Sequence, residues 1–339
     1  MATAQRVVYV VGAGLSVGLG FPAINDLLER IWPRLAEANV ADAISEIIRF
    51  HHPDFNPSIP DTFVNIEELL SEMKANEQLF DSSRPATGNF TTAELRGRRQ
   101  TLLLQMAAWF HELQAQALTN TPNWLTTLVS QMQSERAQII SFNWDLVLDQ
   151  LLFGDDLDRR SYGLRPSRRK AQLIKPHGSL NWFAGSFGKH LRTEKKFSLT
   201  SRGSPQVFAF KPYRAPTSTR RTYMPLIVPP VYNKEFEGPL FQELWQHAVA
   251  ALSTASEVRF LGYSLPTSDF HARFILRCGF YNQEHGALCE DGTRSSPTGR
   301  ARVRIVNPAP EARARVEKMV GWRCDSIPKT VEDWVSTSF

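Results

Sequence analysis

Cysteine is scarce in this 339-residue chain: Cys278, Cys289 and Cys324 are the whole complement, and no two form a CxxC pair. That excludes a disulfide-stapled scaffold and a thiolate metal cluster, and it reads as three reduced thiols, buried or idle. Long apolar runs are also missing. None approaches the ~20 residues that a helix needs to cross a bilayer. The start, Met1 to Arg6, is short and polar for a signal peptide ahead of the apolar run Val7 to Val11. A cytoplasmic location without membrane contact is expected. No internal repeat is visible, and the GxxxxGK[ST] phosphate loop is absent. Neither sign of charge dominates, with 39 Lys and Arg against 34 Asp and Glu. The densest basic stretches, Arg159 to Lys170 and Arg214 to Arg221, read as solvated loop surface, so direct nucleic-acid binding is not expected. What remains is an ordinary globular composition, 42% hydrophobic and 22% charged, in a chain long enough to bury a substantial core.

The pattern opens with the apolar strand Val7 to Val11, which runs directly into Gly12, Gly14, Gly18 and Gly20. From Ile24 to about Met132 the spacing of apolar residues is helical, over Ala41 to Phe50, Val64 to Phe80 and Thr92 to Leu118 in particular. Two breaks interrupt it, the proline-rich His52 to Asp61 and the small, polar Asp81 to Thr91. Short strand patterns follow at Ala137 to Phe142, Gln172 to Lys175, Leu226 to Val228, Val258 to Gly262 and Val303 to Val306. Helical patterns alternate with them at Leu146 to Phe153, Phe236 to Leu252, Phe270 to Tyr281 and Pro310 to Val320. The stretch Gly185 to Arg221 has little periodicity and reads as loop or weak hairpin. The alternation predicts an α/β fold, a Rossmann-like parallel sheet with helices on both faces. A large helical insertion follows the first strand, at about 25–135, within a single domain spanning 1–339.

Five segments sit where such a sheet binds ligands, at the carboxyl ends of its strands. The turn from Gly12 to Pro22 can bring backbone N–H groups close to a pyrophosphate, and it can equally be a plain strand–turn–helix. No Asp or Glu closes a second strand about 20 residues on, as a ribose-binding hydride-transfer enzyme requires. Ser141-Phe142-Asn143-Trp144-Asp145 ends the next strand. Helix capping by Asn143, with Asp145 at the positive helix end, explains one polar residue there but does not require two. Lys175-Pro176-His177-Gly178-Ser179 places a histidine, whose pKa lies near neutrality, on a loop. The other histidines, such as His51, His52 and His111, fall on helical patterns and read as surface or packing residues. Gly262 to Asp269 and Ile305 to Pro308 complete the set, each alone compatible with an ordinary turn.

In this order the segments resemble the sirtuin superfamily, whose pattern is GAGxSxxxGIPxF, then xxNxD, HG, GxS and xN. They stand here as Gly12 to Ile24, Phe142 to Asp145, His177-Gly178, Gly262 to Ser264 and Val306-Asn307. The resemblance implies that Gly12, Ala13, Gly14 and Ser16 hold the phosphates and nearby ribose of NAD. It makes Asn143 a catalytic residue that positions the nicotinamide ribose or the attacking water, with Asp145 on the carboxamide. It makes His177 the general base, and it places Gly262, Ser264 and Asn307 on the adenosine side. NAD would be a substrate rather than a bound cofactor.

The departures also carry information. Protein-deacylating sirtuins hold a zinc module of two CxxC pairs between the HG and GxS segments, whereas His177 to Gly262 contains no cysteine, so no zinc is expected. The Asp and Arg of the sirtuin Gly-Ile-Pro-Asp-Phe-Arg run are replaced in Gly20 to Asn25, and the helical insertion exceeds that of deacylases. These features resemble the sirtuin-like effectors of bacterial anti-phage defence, as does the segment Pro229 to Lys234. The expected activity is NAD glycohydrolysis to nicotinamide and ADP-ribose. The alternatives are an NAD-dependent protein deacylase or ADP-ribosyltransferase, and a non-catalytic NAD or ADP-ribose binding module. Because an uncontrolled NADase would deplete its own cell, a homo-oligomer or a separate activator is expected. By family analogy that activator is a HerA-type ATPase or an Argonaute-like protein.

Overall fold

The computed structural model describes residues 6–79, 85–87, 90–164, 170–185, 195–200, 206–211, 223–228 and 238–338. The segment Pro229 to Lys234, the basic stretch Arg214 to Arg221 and the centre of Arg159 to Lys170 lie outside the described residues.

Strand β1 (Val7–Val11) is apolar at every position because every position is buried, as expected of a strand covered on both faces. It pairs in parallel with β4 (Gln138–Ser141) on one side and β9 (Glu257–Leu261) on the other. β5 (Gln172–Ile174) extends the β4 side, and β10 (Arg302–Val306) with β11 (Asp325–Ile327) extends the β9 side. The resulting six-stranded order is β11-β10-β9-β1-β4-β5, all parallel. Numbering these six strands by their occurrence gives 3-2-1-4-5-6, the doubly wound Rossmann order. Right-handed crossovers that first run one way from β1 and later the other place their helices on opposite faces. The chain reverses direction at β1, so the crevice of such a sheet opens at the carboxyl ends of β1, β4 and β9.

Between β1 and β4 lies the helical insertion. After α1 (Ala13–Val17) in the turn that follows β1, it contains α2 (Leu27–Glu37), α3 (Ala41–His51), α4 (Ile66–Leu79), α5 (Thr92–Thr119) and α6 (Asn123–Ser134). α5 starts in a capping box, with Thr91 and Glu94 each bonding the other's backbone N–H, which satisfies two otherwise unpaired donors. A two-stranded hairpin of β2 (Pro85–Thr87) and β3 (Phe90–Thr91) stands in the polar break before it, a feature that the periodicity did not mark. Leu28, Ile31, Leu69, Leu102 and Met106 of the insertion belong to the same apolar core as Val8 and Val10.

The second half alternates as expected through α7 (Val147–Phe153), α8 (Pro239–Ser253), α9 (Phe270–His285) and α10 (Pro310–Val320). Three differences from the sequence pattern appear. Leu226 to Val228 adds no strand to the main sheet and forms only an isolated bridge between Ile227 and Gly178. Within 185–221, read as loop or weak hairpin, β7 (Lys195–Ser198) and β8 (Val207–Lys211) join β6 (Trp182–Ala184) in an antiparallel sheet of order β6-β8-β7. Finally, β11 and α11 (Val331–Ser338) close the chain. β11 is three residues long, too short for a periodic signal. Among the described residues no helix is long and apolar enough to cross a membrane, and all three cysteines are free.

Candidate active site

The turn after β1 packs against the end of β9 more tightly than side chains allow. A Cβ on Gly14 would lie 2.7 Å from the Gly262 Cα, and one on Gly262 would lie 2.5 Å from the Gly14 carbonyl carbon. Gly262 also has φ of +59°, a conformation that costs residues with a Cβ about 1–2 kcal/mol. The Gly12 N–H donates to the Leu261 carbonyl and the Gly14 N–H to the Gly262 carbonyl. Those two amides are therefore committed to β9, and Gly14 and Gly262 serve as the joint between two strands. Gly12, Ala13 and Ser16 face a cavity at the strand ends, together with Asn143, Asp145, His177 and Ser264. Gly14, Gly262 and Asn307 do not line this cavity. Asn307 stands behind it, accepting from the Ala309 N–H and donating to the Tyr263 carbonyl.

The polar groups after β4 are wired to the β1 turn. Asn143 Nδ2 donates to the Gly12 carbonyl and to Ser16 Oγ, both at 3.0 Å. Ser16 Oγ in turn donates to Asp145 Oδ2 at 2.8 Å. Both amide hydrogens of Asn143 and the single hydroxyl hydrogen of Ser16 are thereby used, leaving Asn143 Oδ1 as the acceptor. The capping alternative for Asn143 is corrected here. α7 begins later, at Val147, and it is Asp145 Oδ1 that accepts the Val147 N–H. Burial pushes the Asp145 carboxyl above its ordinary value. Lys175, the Ser16 hydroxyl and the Val147 N–H oppose that rise, and Asp149 adds to it.

His177 follows β5. Its backbone is held by the 226–228 segment, where Val228 N–H donates to the His177 carbonyl and Ser179 N–H to the Leu226 carbonyl. Gly178 makes this approach possible, since at φ of +79° an added Cβ would lie 2.0 Å from the Leu226 oxygen. The imidazole packs edge-on against Phe142 at 4.9 Å and beside Trp245 at 6.0 Å. Phe142 itself stacks on Tyr263 at 4.6 Å. His177 Nε2 lies 3.4 Å from Asp269 Oδ2.

Beneath the two loops lies Lys175, fully buried. Its Nζ donates to the Asp145 carbonyl at 2.6 Å and to Ser179 Oγ at 2.8 Å, and it pairs with Asp149 Oδ2 at 3.1 Å. One cation thus ties the Asn143–Asp145 loop to the His177–Ser179 loop. Asp149 also accepts from the Tyr162 hydroxyl at 2.6 Å.

Several residues that line or brace this cavity were not singled out for a role in the sequence. Asp269 precedes an amphipathic helix, the ordinary sign of an N-cap, which marks its place without revealing its contact with His177. Trp245, Phe110 and Glu67 lie on helices far from any motif. Phe110 and Glu67 reach the cavity wall from α5 and α4 of the insertion, an approach that local spacing does not encode.

No family model matches the chain, and no curated protein does. Among solved structures, a Sir2 homologue in complex with NAD aligns at 11% identity over 98% of this chain and 86% of that one, with a TM-score of 0.47. A Sir2 homologue variant in complex with ADP-ribose aligns at 11% identity over 98% and 89%, TM-score 0.45. A structure described as the structural basis of sirtuin substrate affinity aligns at 12% identity over 98% and 92%, TM-score 0.44. At these values the overlap is partial, and the functional reading rests on this chain's own residues.

Proposed function

We propose that this protein binds NAD in the cavity at the ends of β1, β4 and β9 and hydrolyses the nicotinamide–ribose bond. The observation that carries the reading is convergence. Asn143, Asp145 and Ser16 form one hydrogen-bonded unit, and His177 faces the same cavity from the neighbouring loop. Three chain segments supply these groups at the reversal point of a doubly wound sheet, where dinucleotides bind in such folds.

In the reaction the C1′–N bond breaks, and its electron pair leaves with nicotinamide as a neutral pyridine. The water oxygen bonds to C1′, and its proton passes to His177 and then to solvent, giving nicotinamide, ADP-ribose and a proton. Because the leaving group departs neutral, no strong acid is required, unlike glycosidases with two carboxylates. Asn143, anchored through both amide hydrogens, presents Oδ1 to the water or a ribose hydroxyl. Asp145 would accept from the carboxamide. Contacts to the remote adenosine and phosphates hold the ribose in reactive geometry. We extend the reading to control by self-assembly or a separate sensor subunit, such as a HerA-type ATPase or an Argonaute-like protein. A monomer fully active alone would overturn that extension.

The test is release of nicotinamide and ADP-ribose from NAD, followed by chromatography, for the wild type, His177→Ala and Asn143→Ala. Loss of turnover by about 10²-fold or more in each variant is expected. Wild-type rates in either variant would remove the assignment. Release that requires an acyl-lysine peptide would favour a deacylase, label transferred to protein an ADP-ribosyltransferase, and tight binding without product a binding module.

A further inference from the structure

Asp269 is buried at 2% exposure and does two things at once. Its Oδ1 accepts the Ala272 N–H at 3.2 Å as the N-cap of α9. Its Oδ2 is turned the other way and lies 3.4 Å from His177 Nε2. Because the first oxygen is fixed to a 16-residue helix, the position of the second is fixed as well. The imidazole is clamped on its other sides by Phe142 and Trp245. Tyr263, buried beside Asp269, has its phenol held well above the ordinary value by burial and by that carboxylate, so it stays neutral.

We propose that Asp269 is the positioning residue of His177: its carboxylate faces the Nε2 side of the ring and holds the imidazole in its orientation. The proposal rests on the reading of His177 as general base. When His177 takes a proton from water, the neutral imidazole becomes an imidazolium with both ring nitrogens protonated. The imidazolium formed is then stabilised by the adjacent carboxylate, the logic by which buried carboxylates support catalytic histidines. Among the described residues, Asp269 faces the ring from the β9–α9 connection, Tyr263 lies beside that carboxylate with Arg273 near the phenol, and Asp145 lines the same cavity from the loop after β4. α8 contributes Trp245.

The deciding variant is Asp269→Asn, because Asn is as good an N-cap as Asp and only the charge is lost. Its melting temperature should stay close to that of the wild type, whereas Asp269→Ala, which also loses the cap, should melt lower. For Asp269→Asn, kcat should fall by about 10²–10⁴-fold with KM for NAD nearly unchanged. The acid limb of its pH–rate profile should move to lower pH, since an imidazolium without its carboxylate gives up its proton more readily. Unchanged kcat and an unmoved profile in a folded Asp269→Asn protein would overturn the proposal.

A second readout does not depend on turnover: the nitrogen shifts of ¹⁵N-histidine-labelled protein titrated with pH. The His177 midpoint should be higher in the wild type than in Asp269→Asn. Identical titrations would overturn the positioning role even if NAD is cleaved. The expected shift in a protein that never cleaves NAD would instead uphold the positioning and remove the glycohydrolase reading.

Discussion

Burial holds the Asp145 carboxyl above the ordinary carboxylate range, against the pull of Lys175 and two hydrogen bonds. A carboxyl whose folded pKa is raised contributes stability that is complete below its unfolded pKa and is lost as pH rises through the folded value. The ionised form therefore carries a cost at neutral pH that a ligand carboxamide would help to offset. Asp145→Asn removes the titration, so the variant should gain stability relative to the wild type as pH rises from the ordinary carboxylate value to neutrality. NAD turnover should fall in the same variant. Denaturant unfolding at several pH values checks the sign, and a wild type that gains on the variant as pH rises would contradict it. At Gly262 the demand is steric. Gly262→Ala combines the left-handed backbone with a Cβ 2.6 Å from the Leu15 nitrogen. Together these should cost roughly 2–5 kcal/mol, measured as the loss in unfolding free energy.

Two elements carry the site beyond its motifs. The buried Lys175–Asp149 pair joins β5 to α7 and, through Lys175, joins the loops that follow β4 and β5. Lys175→Met leaves Asp149 charged and unpaired in the interior, which should cost about 3–5 kcal/mol. Adding Asp149→Asn should recover part of that loss, because removing both charges abolishes the unpaired one. The check is the urea midpoint at unchanged slope, and a double variant no more stable than Lys175→Met would refute the pairing account. α4 brings Glu67, buried among apolar wall residues such as Phe110 and Leu27. A carboxylate in that setting favours a cationic ligand, and the pyridinium of NAD is one. Glu67→Gln, equal in size but uncharged, should raise KM for NAD several-fold, and an unchanged KM would place Glu67 outside the substrate's reach. Neither element announced itself as part of the site. Lys175 was legible only as a residue beside His177, and Glu67 only as one position in a helical repeat.

At the scale of the whole molecule, a ligand that binds only the folded state must stabilise it by mass action, by about 2.7 kcal/mol at 100 times its dissociation constant. ADP-ribose should therefore raise the melting temperature progressively with concentration. A melting temperature that does not move up to millimolar ligand would count against the cavity as a dinucleotide site. The sheet itself was readable in advance because burial on both faces writes an apolar run, as in Val7 to Val11. The helices of the insertion were readable because their buried stripes repeat every three to four residues. Short strands with little burial pattern, such as β7 and β11, leave no such trace, and Leu226 to Val228 reads like a strand although only one bridge forms there. By itself the sequence determined which residues stand at the ends of the main strands, since that follows from local chemistry, whereas the need for glycine at Gly14, Gly178 and Gly262 comes from segments that meet only in the fold. Only the tertiary structure decided that Asp145 rather than Asn143 takes the first amide of α7, that Ser16 links them, and that Asp269 faces His177. Each of these pairs residues far apart in the chain, or depends on how a side chain is aimed, and local spacing determines neither.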